Sequence, residues 1–216
     1  ENVSAEDAAA VALVGITAHI GMVLRAKVQA GETVLVNGGA GGVGSMVVQI
    51  GKALGARVIA TAGSDDRAAK AKELGADDVI QYNTEDVTAR VHALVPDGVN
   101  VLWETRREAD FEWAVPLLAK RGRMVVMAGR EARPVFPVGP FYVKDCELHG
   151  FAMFNYSAAE QQQCGEDLNR WLSAVKLRAN IDRVLPLAEA AAAHRLQEEN
   201  TLHGSGTLAG KIILKL

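Results

Sequence analysis

The sequence predicts an α/β protein built on a doubly wound parallel sheet, and three observations lead to this fold class. Between Thr33 and Met127, short β-branched runs alternate with stretches whose apolar residues recur at helical spacing. The strand candidates are apolar throughout, as in a parallel sheet that is covered on both faces. Two helices end in near copies, Leu54-Gly55-Ala56 and Leu74-Gly75-Ala76, where glycine suits the left-handed residue that closes a helix. One βαβ unit is therefore repeated along the chain.

The predicted elements follow one another in a regular order. Ser4, followed three residues later by Asp7, predicts the start of an Ala-rich helix, and Gly15 separates it from a second helix that reaches about Val28. The strands predicted in the central region are Thr33–Asn37, Arg57–Thr61, Asp78–Tyr82, Val99–Trp103 and Arg123–Met127. The helices predicted between them are Val43–Leu54, Asp65–Leu74, Glu85–Leu94 and Ala109–Ala119.

The C-terminal third is less regular. Three prolines within residues 131–141 predict a rigid loop over a sheet edge, and a polyproline ligand for an SH3-type partner is the alternative. The remaining elements are predicted as a strand at Glu147–Phe154, helices at Ala158–Val175 and Leu187–Glu198, and a final strand at Lys211–Leu216.

The sixth predicted strand suggests how the protein associates. Leu148, Phe151, Met153 and Phe154 make this strand apolar, and its place in the order puts it at a sheet edge. An apolar edge strand invites pairing with a second copy of the chain. We therefore expect a homodimer through residues 147–154, unless the proline loop covers that edge.

Composition and charge exclude several classes of protein. The 216 residues are 49% hydrophobic and 23% charged, as in a folded globular protein rather than a disordered or collagen-like one. A net charge of −3 without a basic cluster argues against a nucleic-acid partner. We find no apolar run of the roughly 18 residues that a membrane helix needs, and expect no membrane association. The two cysteines lie outside any CxxC pattern, which indicates a reducing, cytoplasmic compartment.

A glycine-rich loop follows the first predicted strand and directly precedes a helix. The GxGxxG pattern is satisfied by Gly39, Ala40, Gly41, Gly42, Val43 and Gly44. Gly39 permits the tight turn, Gly41 allows a pyrophosphate to approach the backbone, and Gly44 lets the helix pack close to the strand. The N–H groups at the helix start then bind the phosphates. The pattern therefore predicts a dinucleotide-binding Rossmann domain, with a glycine-rich turn that binds nothing as the alternative.

The end of the second strand indicates which dinucleotide is bound. An NAD site usually has an Asp or Glu about 20 residues after the loop for the ribose 2′-hydroxyl. Here Thr61-Ala62-Gly63-Ser64 contains no carboxylate, and Asp65 suits the first turn of the next helix. Ser64 and Arg67 offer donors suited to a 2′-phosphate, although Arg67 is equally well explained as a solvated helix charge. The residues favour NADPH.

Five motifs occur in the order in which one family has them: Gly15-Ile16-Thr17-Ala18, Gly31–Val36, Gly39–Gly44, Leu74–Asp77 and Ala209–Leu214. Over nearly its whole length the sequence resembles the zinc-independent quinone oxidoreductases (zeta-crystallin-like) of the medium-chain dehydrogenase/reductase superfamily. The resemblance implies an NADPH-dependent enzyme that transfers hydride to a quinone or an α,β-unsaturated carbonyl. The zinc-dependent branch has a cysteine ligand in the helix before this domain, and Ala8–Thr17 contains none, so we expect no metal site.

The resemblance also implies a division of the chain. Residues 1–13 would link to an N-terminal GroES-like catalytic domain that is expected before this sequence. Residues 14–156 would form the Rossmann domain, and residues 157–216 would return to the catalytic domain. We assign no catalytic residue, because the groups that face the substrate in this family come largely from the preceding domain.

At the adenosine end, the resemblance implies that Arg67 and Tyr82, alongside Ser64, hold the 2′-phosphate. At the other end, Thr17 occupies the position close to the nicotinamide. The strand ends Met127–Gly129 and Phe151–Met153 supply backbone for the carboxamide. Simpler roles remain open: Tyr82 packing at a strand end, Thr17 bonding its own helix backbone, and Phe151 filling the core.

Two departures from the family bear on the substrate. Asn37 stands where many relatives have His before the glycine loop, and Trp103-Glu104-Thr105-Arg106-Arg107 replaces the usual small, glycine-containing turn. The substrate is therefore less transferable than the cofactor. Two other functions remain open: an NADPH-binding module without catalysis of its own, and an enoyl-reductase domain excised from a larger synthase.

Overall fold

Six parallel strands form the central sheet of the protein. They are β1 (Thr33–Val36), β2 (Arg57–Ala62), β3 (Asp78–Gln81), β4 (Val99–Glu104), β5 (Leu118–Val126) and β6 (Glu147–Gly150). Their order is β3-β2-β1-β4-β5-β6, with every neighbouring pair parallel. This order confirms the predicted doubly wound Rossmann fold. The computed structural model describes residues 3–216, so the first two residues of the predicted segment 1–13 lie outside it.

Helices connect the strands and cover both faces of the sheet. They are α1 (Ala5–His19), α2 (Gly42–Ala53), α3 (Asp65–Glu73), α4 (Val87–Leu94), α5 (Phe111–Leu117), α6 (Val138–Val143), α7 (Ala158–Ser173) and α8 (Ala190–Leu202). Five helix starts are capped by side-chain oxygens, those of Ser4, Ser64, Asp86, Asp110 and Ser157. Such caps satisfy backbone N–H groups that the first turn of a helix leaves without partners.

The core consists of two apolar layers, one on each side of the sheet. Val34 and Val36 of β1 contribute to the layer under α1, α2 and α7, whereas Leu35 contributes to the layer under α4 and α5. All four residues of β1 are buried, as predicted for a strand at the centre of a parallel sheet. The apolar runs of the sequence thus reflect burial on both faces.

Gly15 does not interrupt the first helix, contrary to prediction. Helix α1 continues through it to His19, and the π-helical turn Ile20–Arg25 follows without a break. A Cβ at Gly15 would lie 2.9 Å from Val11 Cγ1 and 3.1 Å from Leu168 Cδ1 of α7. This glycine therefore allows α7 to approach α1 closely. The same contact includes His19, whose buried Nε2 lies 2.7 Å from Asp167 Oδ2.

The uninterrupted helix also shows that the sequence does contain an apolar stretch of membrane-spanning length, contrary to expectation. By length and composition alone, Ala5–Arg25 is apolar enough to cross a membrane. More than half of this stretch is buried, and α1 packs against α2 and α7. A buried core helix can be as long and as apolar as a membrane-spanning helix, so these two properties do not distinguish the two kinds of helix.

Several element boundaries differ from the prediction. Helix α5 contains Pro116 and ends at Leu117, because the backbone becomes extended at Leu118, where β5 begins. Strand β6 ends at Gly150 rather than at Phe154, and Met153–Asn155 forms a 3-10 turn. The predicted edge strand 147–154 is thus only half as long.

An additional strand was not predicted. β7 (Ile181–Pro186) pairs in parallel with β8 (Lys211–Lys215), in a two-stranded sheet separate from the main one. The side chain of Lys211, the first residue of β8, lies against Gly42 at the start of α2, so the end of the chain reaches the glycine loop.

Candidate functional site

The glycine loop connects β1 to α2 and is fixed to the end of β2. The Gly38 N–H donates to Thr61 Oγ1 at 3.0 Å, and the Gly39 N–H donates to the Thr61 carbonyl at 3.0 Å. Gly38, directly before the GxGxxG pattern, has the positive φ of +82° that the turn requires. The tight turn assigned to Gly39 therefore begins one residue earlier.

Two of the loop glycines are required by close packing. A Cβ at Gly39 would lie 2.6 Å from Ala60 Cβ, and one at Gly44 would lie 2.1 Å from the Gly38 carbonyl oxygen. Real Cβ atoms do not approach other atoms so closely, so both positions need glycine. Gly44 was predicted to let α2 pack close to the strand. The close contact that the structure shows at Gly44 is with the backbone of the loop.

The start of α2 presents backbone donors to the loop. Gly41 precedes the helix without a capping side chain, and the Ser45 N–H makes the bond to the Gly41 carbonyl at 2.9 Å. The N–H groups of Gly42 and Val43 lie before that bond, in the first turn. Ala40 is buried, and its carbonyl accepts from Asn180 Nδ2 at 3.1 Å. A helix start of this form is suited to phosphate oxygens.

A cleft of about 200 Å³ opens beside this loop. It is lined by Gly38, Ala40, Gly41, Thr61, Ala62, Gly63, Arg67, Tyr82, Thr105, Asn200 and Leu208. Arg67 and Tyr82, which the sequence assigned to a 2′-phosphate, are thus in one cleft. Ser64 lies at its rim, where its Oγ accepts from the Arg67 N–H at 3.4 Å as the cap of α3.

The carboxylate nearest to the end of β2 is turned away from this cleft. Asp65 Oδ1 accepts from Gln81 Nε2 at 2.8 Å, at the start of α3. Gly63 follows the last residue of β2 instead of an acid. The Tyr82 side chain covers this glycine, and a Cβ there would lie 2.2 Å from Tyr82 Oη. The position where an NAD site has an acid is therefore occupied by a glycine and a tyrosine.

The C-terminal segment also lines this cleft, and the sequence did not predict that contribution. Arg67 Nη2 donates to the Leu208 carbonyl at 2.8 Å and to Asn200 Oδ1 at 3.2 Å. Lys211 also reaches the loop, because its Cδ would lie 3.5 Å from a Cβ at Gly42. Lys211 belongs to the Ala209–Leu214 motif recognised in the sequence. Its position beside α2 could not be predicted, because it depends on how the chain folds.

A buried polar network underlies the loop and was also missed. The Asn37 amide donates to both carboxylate oxygens of Glu104, at 2.9 and 3.1 Å, and Thr61 Oγ1 donates to Asn37 Oδ1 at 2.7 Å. Glu104 is fully buried, and the Arg106 guanidinium donates to its Oε2 at 2.7 and 3.0 Å. The network joins the ends of β1, β2 and β4. The two sequence departures, Asn37 and the turn after β4, are thus parts of one structure.

The residues predicted for the nicotinamide end are only partly brought together. Thr17 Oγ1 donates to its own helix at the Leu13 carbonyl, 2.9 Å away, and also lies 3.5 Å from Met153 Sδ. Phe151 packs edge-on against Trp103, with ring centroids 6.2 Å apart. The simpler roles considered for these two residues are therefore present in the structure: Thr17 bonds its own helix backbone, and Phe151 packs against a core side chain.

Gly129 lies three residues after the end of β5, in the positive-φ region at +66°. A Cβ there would lie 1.8 Å from the Arg107 carbonyl oxygen, so the chain after β5 packs directly on the turn after β4. Among residues 3–216, no group of three or more His, Cys, Asp or Glu side chains is placed to hold a metal ion.

Comparison with known proteins identifies the family. The sequence profile of the zinc-binding dehydrogenases matches residues 42–173, more than half of the chain. The chain belongs to the zinc-binding dehydrogenase family. It is 29% identical to human quinone oxidoreductase over all of its length, and 34% identical to the trans-enoyl reductase pgmF of Aspergillus terreus over 97% of it. These similarities confirm the resemblance found in the motifs.

Solved structures of dehydrogenases share the fold. A mycobacterial protein in complex with NADPH is 28% identical, with a TM-score of 0.86, and covers all of this chain. An NAD-dependent alcohol dehydrogenase is 32% identical, with a TM-score of 0.85, and also covers all of it. The chain spans 64% of the human relative, 59% of the fungal one, and 66% and 60% of the two structures. The chain thus corresponds to less than two thirds of each of these proteins.

Proposed function

We propose that this chain binds NADPH, and that the protein to which it belongs transfers hydride from NADPH to a quinone or an α,β-unsaturated carbonyl without zinc. The observation that carries the cofactor assignment is the cleft of Arg67 and Tyr82 at the end of β2, where Gly63 stands in the usual place of an acid. A guanidinium fork is suited to a phosphate and a carboxylate is suited to a ribose hydroxyl.

In this proposal the chain's own residues bind and orient the two ends of the cofactor. Gly39–Gly44 and Lys211 receive the pyrophosphate at the start of α2, because the helix dipole and a lysine both favour anions there. Ser64, Arg67 and Tyr82 hold the 2′-phosphate. Thr17, Gly129, Phe151 and Met153 lie toward the nicotinamide. Bound NADPH supplies the hydride, so the protein contributes placement and electrostatics.

The substrate class rests on the relatives. One is named a quinone oxidoreductase and another a trans-enoyl reductase, and both names describe reduction of a carbonyl-conjugated system. The second name also keeps open an enoyl-reductase domain of a larger synthase. An NADPH-binding module without catalysis is the remaining alternative. We propose residues 1–13 as the link to a catalytic domain, residues 14–156 as the cofactor domain and residues 157–216 as the segment that returns to the catalytic domain, with a cytoplasmic location.

Titration with both cofactors tests the assignment. Wild-type chain should bind NADPH more tightly than NADH, and Arg67→Ala should weaken NADPH binding by about 10- to 100-fold, as expected for losing charge-assisted hydrogen bonds. NADH binding should change little. Arg90→Ala on α4 is the matched control, because Arg90 pairs with Glu85 and does not line the cleft. Tighter binding of NADH by the wild type would refute the NADPH assignment.

Turnover separates the enzyme from the binding module. NADPH oxidation is followed at 340 nm with a quinone and, separately, with an enone, using the complete protein in which this chain occurs. Oxidation dependent on either substrate supports the proposed reaction. Tight NADPH binding with neither substrate turned over would favour the binding module, and loss of activity on removing zinc with a chelator would refute zinc independence.

We also propose a homodimer formed through the edge strand of residues 147–154. In the described residues β6 pairs only with β5, and Leu148 and Phe154 are exposed. Phe154 lies in the 3-10 turn that follows β6 and is 79% exposed, so Phe154→Lys should not disturb the monomer but should disrupt a dimer in which residues 147–154 of two copies meet. Light scattering measures the mass; a wild-type monomer, or an unchanged dimer in the variant, would count against association at this edge.

A further inference from the structure

Arg106 is held rigidly although it is part of the surface. Its guanidinium donates from Nε and Nη2 to Glu104 Oε2, and its backbone N–H donates to Glu104 Oε1 at 2.8 Å. The carboxylate is fully buried whereas the Arg106 side chain is 44% exposed. Burying a carboxylate is unfavourable unless it is paired and hydrogen-bonded, and the Asn37 amide supplies the remaining donors. One edge of the guanidinium is therefore anchored, and the remainder is free to meet a ligand.

An aromatic ring lies beside this anchored cation. The Arg106 Cζ is 5.1 Å from the centroid of the Trp113 ring on α5, within the range of a cation–π interaction. Arg106 and Trp113 both line a cleft of about 500 Å³, together with Tyr82, Thr105 and Val87. The cleft adjoins the Arg67 cleft, because Gly38, Thr61, Tyr82 and Thr105 line both.

We propose that the Arg106–Trp113 pair is the platform on which the adenine base of the cofactor stacks, and that Glu104 is the positioning residue that fixes it. The proposal deepens the proposed function and rests on it. With phosphates at the start of α2 and at Arg67, the adjoining cleft is where the base of the same ligand lies. A planar delocalised cation against an indole provides a preorganised flat surface for a heteroaromatic base.

Binding of two probes separates recognition of the base from recognition of phosphate. Adenosine 2′,5′-bisphosphate carries the base, and inorganic pyrophosphate does not. Arg106→Met should weaken binding of the bisphosphate by about 5- to 20-fold and leave pyrophosphate binding unchanged. Arg106→Lys should not restore it, because an ammonium has no flat face. Arg107→Met is the matched control, because Arg107 is the exposed neighbouring arginine and does not line the cleft.

Two further measurements distinguish a platform from a purely structural network. Bisphosphate binding should change the tryptophan fluorescence, and Trp113→Phe should remove most of that change although Trp103 and Trp171 remain. Glu104→Gln should weaken bisphosphate binding in the wild-type background but have little effect on it in Arg106→Met, because it acts through Arg106. A purely structural Glu104 would instead lower the thermal midpoint and weaken both probes equally.

The outcomes separate this inference from the proposed function. If wild-type chain binds NADPH tightly but Arg106→Met binds the bisphosphate as tightly as wild type, the platform is refuted and the NADPH assignment stands. If Arg106→Lys restores full binding, Arg106 acts as a simple charge and the stacking role is refuted. If wild-type chain binds neither NADPH nor the bisphosphate, both are overturned.

Discussion

Replacing Gly44 with alanine tests whether the start of α2 must stay free of side chains. The new Cβ would lie 2.1 Å from the Gly38 carbonyl oxygen. A carbon–oxygen contact needs about 3.3 Å, so the loop or the helix would move by roughly 1 Å. Such a shift strains the two bonds that fix the loop to Thr61, each contributing about 0.5–1.5 kcal/mol. Alanine in a helix interior recovers about 0.5–1 kcal/mol. At the midpoints, about 2 kcal/mol is lost and about 0.75 kcal/mol is recovered, so the expected net loss is about 1 kcal/mol.

Gly165 provides the matched control, because it lies within α7 and a Cβ there would meet no atom within 4 Å. Gly165→Ala should raise the free energy of unfolding by about 0.5–1 kcal/mol, while Gly44→Ala lowers it. Urea unfolding followed by circular dichroism measures both, and calorimetric titration with NADPH should show weaker binding only for Gly44→Ala. If Gly44→Ala were as stable as wild type and bound NADPH equally well, the reasoning from close packing would be wrong.

Three other predictions follow from individual contacts. Gly21→Ala should lower stability by about 1–3 kcal/mol in urea unfolding, because its Cβ would lie 2.2 Å from the Trp103 ring. The pKa of Asp77 is lowered, because its bonds to Lys52 and to the Val58 N–H outweigh the opposing effect of burial. Asp77→Asn should therefore cost less than about 1 kcal/mol at pH 7, given the partial exposure of the pair. The cost should begin to shrink below about pH 4, where the carboxyl of the unfolded chain becomes protonated, and should vanish only below the lowered pKa of the folded state. Burial raises the pKa of the Cys164 thiol, which is 1% exposed, so mass spectrometry should show slow alkylation by iodoacetamide at pH 7 and fast alkylation after unfolding.

The sequence predicted the fold well because its signals are local. Five of the six strands of the main sheet begin at the predicted residue, and β5 begins at Leu118 instead of Arg123. The Leu-Gly-Ala endings close α2 and α3 with positive φ at Gly55 and Gly75. Gly15 was misread because its role is to admit Leu168 from α7, a contact across more than 150 residues of sequence. Local rules for glycine in helices do not contain that information.

The candidate site was predictable where one motif carries it and not where distant segments meet. The glycine loop and Ser64–Arg67 lie within single stretches of sequence, and the structure places them around one cleft. The Asn37–Glu104 network, by contrast, depends on β1 and β4 being neighbours in the sheet. Its two residues were recognised only as departures from a family pattern, because no spacing rule links position 37 with position 104.

The contact between Arg67 and Leu208 has a consequence for the order of synthesis. Strands β1 to β6 and their helices are complete by residue 150, so the sheet can assemble before the last 66 of the 216 residues emerge from a ribosome. Arg67 gains its partners on the C-terminal segment only when residues 200–208 are present. During translation the domain would therefore acquire its shape before the cleft beside the glycine loop is finished. Cleavage of the exposed, glycine-containing loop at residues 203–206 would return a folded domain to that unfinished state.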